Sequence, residues 1–273
     1  MNFLLKHAYD IGYGFASIIW PFMPKRQKIA IDNIMACGVA SDPKEARRIA
    51  KASFGHLAGH ICEALCVPAV VNASNWRDHL DVETDAAPET VKLLLESPDT
   101  PIILASSHHG VWEAATNVLS LVRPMIAIAR VQNNKLVAKW MKKYHFRGPV
   151  TVIDKSHGFT PDIMRQWKDE RAAMTILMDQ HTSGGLKLEF LGRPARTFTS
   201  VSRLAMRTGY PIVVGSFVRV APYRYRLVGG TPVSFEKGTD LAAATQLLND
   251  RLGAAIRKYP EQYLWAHKRW REG

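Results

Sequence analysis

The stretch PIILASSHHGVWEAATNVLSLVRPMIAIAR, residues 101–130, decides the fold. It begins with the short apolar run PIILAS, continues through the helical pattern EAATNVLSLV, and ends in a second short apolar run, MIAIAR. A short apolar run, a helical stretch and another apolar run are typical of a crossover between two parallel strands. The stretch therefore predicts a strand, a helix and a neighbouring strand of a buried sheet.

The same alternation continues toward the C-terminus. Further apolar runs follow in VTVID, AAMTILMD and PIVVGSFVR, and helical stretches in NNKLVAKWMKKYHF, PDIMRQWKDE and TSVSRLAMRTG. The segment YRYRLVGG is typical of an antiparallel edge strand, and DLAAATQLLNDRLGAAIRKY of a long helix. We predict an α/β fold with a mostly parallel central sheet flanked by helices.

The composition and net charge of the chain limit the classes of partner that it is expected to bind. The chain has 273 residues, of which 47% are apolar, so it can bury a sizeable core. Lys and Arg number 36 against 24 acidic residues, a formal charge of +12. This excess favours an acidic partner, such as an anionic membrane surface, a phosphorylated substrate or an acidic carrier protein. The cations are scattered instead of forming a basic arm, so we predict no nucleic acid partner.

The N-terminus carries an uncharged stretch, IGYGFASIIWPFM, at residues 11–23. A helix needs about 20 apolar residues to cross a bilayer, so this stretch is too short to span one. Lys25, Arg26 and Lys28 follow it directly. Two interpretations remain open: a helix lying in the membrane interface beside anionic headgroups, or a helix packed against the core. We predict a membrane-associating segment at residues 1–28 and a main domain at 29–273.

Two histidines stand in the turn after PIILAS, where open α/β sheets keep their ligand sites. His109 and Glu113 are four residues apart and share a face if both are helical. His108 reaches the same carboxylate if it lies in a non-helical turn, with Gly110 easing the backbone path. The spacing leaves both histidines open.

An imidazole beside a carboxylate suits acyl transfer. The neutral ring can take the proton of a hydroxyl that attacks a carbonyl, while the carboxylate fixes the tautomer. Such a dyad requires no metal and no enzyme nucleophile. One alternative is that both histidines only cap and pack; another is a metal hydrolase built on HHxxxE. Because no matching Asp/His cluster occurs elsewhere in the sequence, we predict no metal site.

The block SSHHGVWE resembles the HxxxxE/D motif of the glycerolipid acyltransferase superfamily. It is more closely similar to the lauroyl/myristoyl acyltransferases of lipid A biosynthesis, in which a glycine and a tryptophan commonly precede the glutamate. Further blocks occur in that family's order: RQKIAIDNI, IARVQNNKLVAKWMKKYHFRG, ILMDQHTSGGLKLEFLGRPARTFTSVSRLA and YPEQYLWAHKRWRE. Together they cover most of the chain from about residue 25 onward.

The resemblance implies roles for individual residues. His108 matches the family's catalytic histidine, a general base, and Glu113 matches its acidic partner. His109 then occupies a variable position. Arg147, in YHFRG, resembles a family arginine near the site, where a guanidinium can stabilise the oxyanion of a tetrahedral intermediate.

Other polar residues at strand and loop ends are expected to bind substrate. Asp179 and Gln180 close MTILMDQ, and the resemblance suggests that they shape the site, with Asp179 orienting Arg147 or another cation. The loop TSGGLKLEFLGRPART brings cations that suit a phosphorylated headgroup. The predicted substrate-binding residues are Arg130, Asn134, Asp179, Gln180, Lys187 and Arg196.

The final block allows two interpretations. Trp265, His267, Arg269 and Trp270 can form an aromatic and basic edge at a membrane, or they can simply pack the chain end.

The resemblance implies a glycerolipid acyltransferase-like fold, with residues 29–273 as the acyltransferase domain. It implies an enzyme at the cytoplasmic face of a bacterial inner membrane, bound peripherally or monotopically. The expected reaction moves a fatty acyl chain from a thioester, on acyl carrier protein or CoA, to a hydroxyl of a lipid A precursor or related glycolipid, without a cofactor. The alternatives are a lysophospholipid or ornithine-type lipid as acceptor, and a non-catalytic basic lipid-binding protein.

Overall fold

The computed structural model describes residues 3–129, 150–154 and 158–271. The described helices are α1 (Phe3–Lys6), α2 (Ala8–Ile19), α3 (Pro24–Ala36), α4 (Pro43–Val70), α5 (Pro88–Val91), α6 (Trp112–Leu119), α7 (Pro161–Asp169), α8 (Ser200–Thr208) and α9 (Leu241–Lys258). The described strands are β1 (Leu80–Ala86), β2 (Ile102–Ser106), β3 (Met125–Ala129), β4 (Val150–Asp154), β5 (Ala173–Leu177), β6 (Leu186–Phe190), β7 (Arg193–Thr197), β8 (Ile212–Ala221) and β9 (Arg224–Gly229).

Seven of the described strands form one sheet in the order β1-β9-β8-β2-β5-β3-β4. From β8 to β4 every neighbouring pair is parallel, which confirms the predicted mostly parallel sheet. Strands β2 and β5 are adjacent and in register from Ile102 opposite Ala173 to Ser106 opposite Leu177. The carboxyl ends of these strands therefore meet at one edge of the sheet, where polar loop residues converge.

The predicted antiparallel strand YRYRLVGG is found as β9, which pairs antiparallel with β8. Its predicted position at the edge is wrong, because β1 pairs parallel with β9 on its far side. The sequence of β1, LDVETDA, has an acidic residue at every second position, the pattern of a strand with one face in solvent. That short alternation was the overlooked signal.

The segment TSGGLKLEFLGRPART was predicted to be a loop, and this is wrong. It contains the antiparallel hairpin β6–β7. Its two turn residues, Leu191 and Gly192, have φ values of 55° and 79°, as tight two-residue hairpins require. The turn was hard to recognise because leucine stands where asparagine or aspartate is usual.

The N-terminal part of the chain packs against the long helix α4. Its N-cap is Asp42, whose carboxylate accepts the backbone N–H groups of Lys44 and Glu45 at 2.8 and 2.9 Å. Helix α2 lies so close to it that a Cβ on Gly12 would stand 2.6 Å from the Ala58 carbonyl oxygen. Glycine at this crossing therefore permits the close approach of the two helices.

The N-terminal stretch has two different faces. Ala8, Gly12 and Ala16 of α2 are buried, as expected of a helix packed on the core. Phe15 and Phe22 instead are 63% and 78% exposed, and the neighbouring apolar side chains Ile11 and Ile18 are exposed as well. Over the described ranges, none of the helices combines the length and the apolar character needed to cross a membrane.

Candidate active site

The turn SHHG, residues 107–110, follows β2 at the carboxyl edge of the sheet. Gly110 has a φ of 72°, and a Cβ there would lie 1.9 Å from the Phe217 carbonyl oxygen. The N–H of Gly110 donates to the carbonyl of Gln262, and the N–H of Val111 donates to that of Phe217. Only glycine fits this position, and the turn is fixed between β8 and the C-terminal segment.

The imidazole of His108 is paired with Asp179. Its Nδ1 lies 2.8 Å from Asp179 Oδ1, and its backbone N–H donates to Oδ2 at 3.0 Å. Both residues stand two positions beyond paired strand ends, because Ser106 of β2 is opposite Leu177 of β5. The sheet register thus brings together a histidine and a carboxylate that are far apart in sequence.

The other ring nitrogen of His108 contacts Gln180, whose side-chain Nε2 lies 3.1 Å from His108 Nε2. Since the Asp179 carboxylate can only accept, Nδ1 carries the proton and Nε2 holds a lone pair that accepts from the Gln180 amide. The ring also packs edge-on against Trp112, with centroids 5.2 Å apart. The resting tautomer is therefore the one in which Nε2 is basic.

Opposing effects set the pKa values of this pair. Burial lowers the pKa of His108, but the charge and hydrogen bond of Asp179, with the charge of Glu113, outweigh it, so the net pKa is raised above its ordinary value. Burial alone would raise the pKa of Asp179, but the charge of His108, its hydrogen bonds and the charge of Arg269 hold it below its ordinary value. Asp179 is thus kept as a carboxylate that favours the protonated imidazole.

Glu113 lies in the first turn of α6. Its Oε2 stands 3.6 Å from Nε2 of His60, a fully buried residue of α4 whose ring packs on Trp112 with centroids 4.4 Å apart. Burial raises the pKa of Glu113 to about 7, against the charge of His108 and a hydrogen bond from Trp112. Glu113 acts on His108 through its charge, and the predicted dyad of the two residues stays a prediction.

The two histidines of the turn differ sharply. The His108 side chain is 18% exposed, whereas His109 is completely buried. His109 donates from Nε2 to the carbonyl of Tyr259 at 3.0 Å, and burial lowers its pKa to about 4. His109 is therefore a neutral packing residue, and His108 presents the accessible ring.

The remaining predicted residues divide into two groups. Asp179 and Gln180 lie at His108, while Lys187 and Arg196 stand opposite each other on the β6–β7 hairpin. The predictions for Arg130, Asn134 and Arg147 lie outside the described residues.

Sequence reasoning missed the part played by Arg269. It was considered for a membrane edge, but it is 1% exposed and Trp265 is fully buried, so for these two residues the packing interpretation holds. Arg269 donates to the carbonyl of Gln180 at 3.0 Å and to Thr197 Oγ1 at 2.7 Å. It fixes the Gln180 backbone and supplies positive charge to Asp179. The C-terminal motif block containing it was the available signal.

Comparison with known proteins gives a consistent result. The profile of a family described as bacterial lipid A biosynthesis acyltransferase matches residues 5–272. The chain is 23% identical to the lipid A biosynthesis palmitoleoyltransferase of Escherichia coli (strain K12), over 96% of this chain and 84% of that protein. It has the same identity and coverage with the lipid A biosynthesis acyltransferase of Shigella flexneri.

Proposed function

The chain belongs to the bacterial lipid A biosynthesis acyltransferase family and is an acyltransferase; on that basis we propose that it moves a fatty acyl chain from an acyl thioester to a hydroxyl group of a lipid A precursor. The observation that carries the mechanism is the 2.8 Å contact between His108 Nδ1 and Asp179 Oδ1. It leaves Nε2 of the same ring free of its proton, at the edge of the sheet where substrates bind.

In this mechanism the acceptor hydroxyl displaces the Gln180 amide as the partner of His108 Nε2. The ring takes the hydroxyl proton as the oxygen attacks the thioester carbonyl carbon. The tetrahedral intermediate then collapses, the carbon–sulfur bond breaks, and the imidazolium returns the proton to the departing thiolate. The products are an ester and a free thiol, and the reaction requires no cofactor.

Two carboxylates support this base in different ways. Asp179 holds the Nδ1 proton by a direct hydrogen bond and stabilises the imidazolium. Glu113, the acidic partner implied by the family motif, contributes through its charge. Arg147 remains the proposed oxyanion-stabilising group, with Arg130 and Asn134 as proposed substrate-binding residues.

Acyl carrier protein is the proposed donor, because a formal charge of +12 complements an acidic carrier, and CoA, which is also anionic, is the alternative donor. A phosphorylated glycolipid and an anionic membrane surface suit the same charge. A non-catalytic lipid-binding protein is disfavoured, because binding alone gives no role to a histidine held in its basic tautomer. A lysophospholipid or ornithine-type lipid is the alternative acceptor.

Acyl transfer can be measured directly. Purified full-length protein is incubated with acyl carrier protein thioesters of several chain lengths and with a lipid A precursor, a lysophospholipid or an ornithine-type lipid. We expect mass spectrometry to show the gain of one acyl chain on the lipid A precursor. Transfer to the lysophospholipid alone would replace the acceptor, and no transfer by folded protein would indicate a binding protein.

The proposed location is the cytoplasmic face of the inner membrane, where residues 1–28 bind peripherally ahead of the acyltransferase domain at 29–273. The support is the exposed apolar face of α2 and the following turn, at Phe15 and Phe22, with Lys25 and Arg26 next in the chain. Aromatic side chains beside cations are typical of segments lying in a membrane interface.

This proposal predicts a loss of vesicle binding in the double variant Phe15→Ser, Phe22→Ser. Burying one phenylalanine contributes about 1.5–3 kcal/mol, so we expect the partition into anionic vesicles to fall at least about tenfold. Flotation with phosphatidylglycerol vesicles measures it. Leu247→Ser, at an exposed position of α9, is the matched control. Equal flotation of both variants would rule out this face.

A further inference from the structure

A basic cavity of about 370 Å³ lies between the β6–β7 hairpin and the C-terminal segment. Its lining includes the side chains of Lys187, Arg193, Arg196 and Arg271, together with the ring of Trp270. We call it the hairpin cavity. Four cations around one small concave space create a strongly positive potential.

Repulsion between these cations lowers the free energy of unfolding unless a bound anion offsets it. Lys187 and Arg196 are direct cross-strand partners in the hairpin, and like charges in such pairs repel. Across the described residues, no carboxylate forms an ion pair with any of the four cations. Their charge is therefore left to be balanced by a ligand or by solvent ions.

Two of the guanidinium groups are already oriented. Arg193 lies 5.1 Å above the Trp270 ring and donates to Asn33 Oδ1 at 3.4 Å. Arg196 donates to the carbonyl of Gly185 at 3.4 Å. Guanidinium groups held in this way match the oxygens of a phosphate, and less side-chain entropy is lost when the ligand binds.

The hairpin cavity adjoins the catalytic site. Gln180, which contacts His108 Nε2, is followed by His181. Arg269 donates both to the backbone carbonyl of Gln180, at 3.0 Å, and to the backbone carbonyl of Arg196, a residue that lines the cavity. One buried side chain thus connects the cavity lining to the residue that contacts His108, so a lipid headgroup bound there would have hydroxyl groups close to the base.

A second basic cavity, of about 430 Å³, continues the positive surface. It shares Arg271 and is otherwise lined by Lys25, Arg26, Ile29, His267 and Lys268. Lys25 and Arg26 follow directly on the exposed apolar residues of the N-terminal segment. A headgroup that reaches the hairpin cavity thus has a basic path from the side of the protein proposed to meet the membrane.

We infer that the hairpin cavity binds a phosphate monoester of the acceptor lipid and so positions the acceptor hydroxyl at His108. The inference rests on the proposed function and assigns recognition of the acceptor's phosphate to the residues of the hairpin cavity. A small recessed cavity fits a phosphate group, whereas an acidic carrier protein would require a broad, accessible face.

The test compares a phosphorylated glycolipid acceptor with the same lipid after phosphatase treatment, both in mixed micelles. The readout is the ratio of kcat/KM for the two acceptors. We expect wild-type protein to prefer the phosphorylated lipid, and Arg196→Gln or Arg271→Gln each to reduce that preference about tenfold, the effect of a lost charged hydrogen bond. Arg207→Gln removes the same charge at a different cavity and should leave the preference unchanged.

Two further measurements distinguish the lipid phosphate from other anions that the cavity could bind. Inorganic phosphate should compete with the phosphorylated lipid only at concentrations far above its KM, since free phosphate lacks the rest of the headgroup. If it bound as tightly as the lipid, the site would be one for free phosphate and the inference would fail. If Arg196→Gln and Arg271→Gln raised the KM for acyl carrier protein instead, the surface would be a carrier site and the inference would equally fail.

Failure of the inference is distinguishable from failure of the proposed function. An unchanged acceptor preference in both variants, with acyl transfer intact, overturns the cavity assignment alone. If no acceptor is acylated at all, flotation with neutral vesicles containing the phosphorylated glycolipid still tests the cavity. Binding lost in Arg196→Gln and retained in Arg207→Gln supports it, and equal binding overturns it.

Discussion

Replacing His108 by asparagine is expected to lower kcat/KM for acyl transfer by about 10²–10⁴-fold, the usual contribution of a positioned general base. Asparagine is the sharper choice than alanine because its side-chain N–H₂ can replace Nδ1–H as the donor to Asp179, which is only 3% exposed. Alanine would leave that buried carboxylate without this partner, and a loss of stability would then accompany the loss of catalysis. Steady-state rates measure the effect, and thermal unfolding checks that the fold is kept.

The pH dependence of the wild-type rate adds a second readout. Only the neutral ring can accept the hydroxyl proton, so kcat/KM should fall as pH drops through the pKa of His108. Because Asp179 and Glu113 raise that pKa above the ordinary histidine value, the acidic limb should lie at higher pH than for a free imidazole. A His108→Asn variant that retains the wild-type rate and profile would assign the base to another group.

The position of the histidine turn could be predicted from the sequence, but the carboxylate that pairs with His108 could not. The apolar run before His108 and the helical pattern after it predicted a turn at the carboxyl edge of a sheet, and that is where β2 ends. Asp179 was likewise predicted at a strand end. That these two ends are neighbours depends on β5 lying beside β2. Strand order arises from long-range packing, which local periodicity does not encode.

The contact made by Glu113 could not be predicted from the sequence either. Spacing along one helix favours partners close in sequence, and it pointed to Glu113. Its contact with His60 depends on how α4 packs against α6, because His60 lies 53 residues earlier in the chain. The family motif pointed to Glu113 as an acidic partner, whereas the pairing of each carboxylate depends on the three-dimensional packing.

The N-terminal stretch was ambiguous for a different reason. Uncharged residues occupy all sides of residues 11–23, so polarity could not separate a buried face from an exposed one. The small residues carried the missing information. Gly12 and Ala16 are buried, and a Cβ at Gly12 would collide with the backbone of α4, whereas the larger Phe15 and Ile18 remain exposed. One helix can therefore satisfy both interpretations, with a packed face and a free apolar face.

Replacing Asp179 by asparagine is expected to lower kcat/KM by about 10²–10⁴-fold, because the new side chain can present N–H₂ to Nδ1 and so favour the tautomer with its proton on Nε2. In that tautomer Nε2 has no lone pair for the acceptor hydroxyl. Steady-state kinetics of Asp179→Asn beside Glu113→Gln measures the difference. We expect the larger loss for Asp179→Asn, since Asp179 lies 2.8 Å from Nδ1 and fixes its proton directly.

The pH profiles of these variants separate a positioning role from a merely structural one. Loss of the Asp179 charge removes the largest of the contributions that raise the pKa of His108, so the acidic limb should shift to lower pH. Glu113→Gln should shift the acidic limb in the same direction by a smaller amount. Asp179→Glu keeps the negative charge, so it should recover part of the wild-type rate and part of the raised pKa of His108. If Glu113→Gln instead loses more activity than Asp179→Asn and shifts the acidic limb further, Glu113 is the direct partner of the base. The contact between Asp179 and His108 would then have a structural role only.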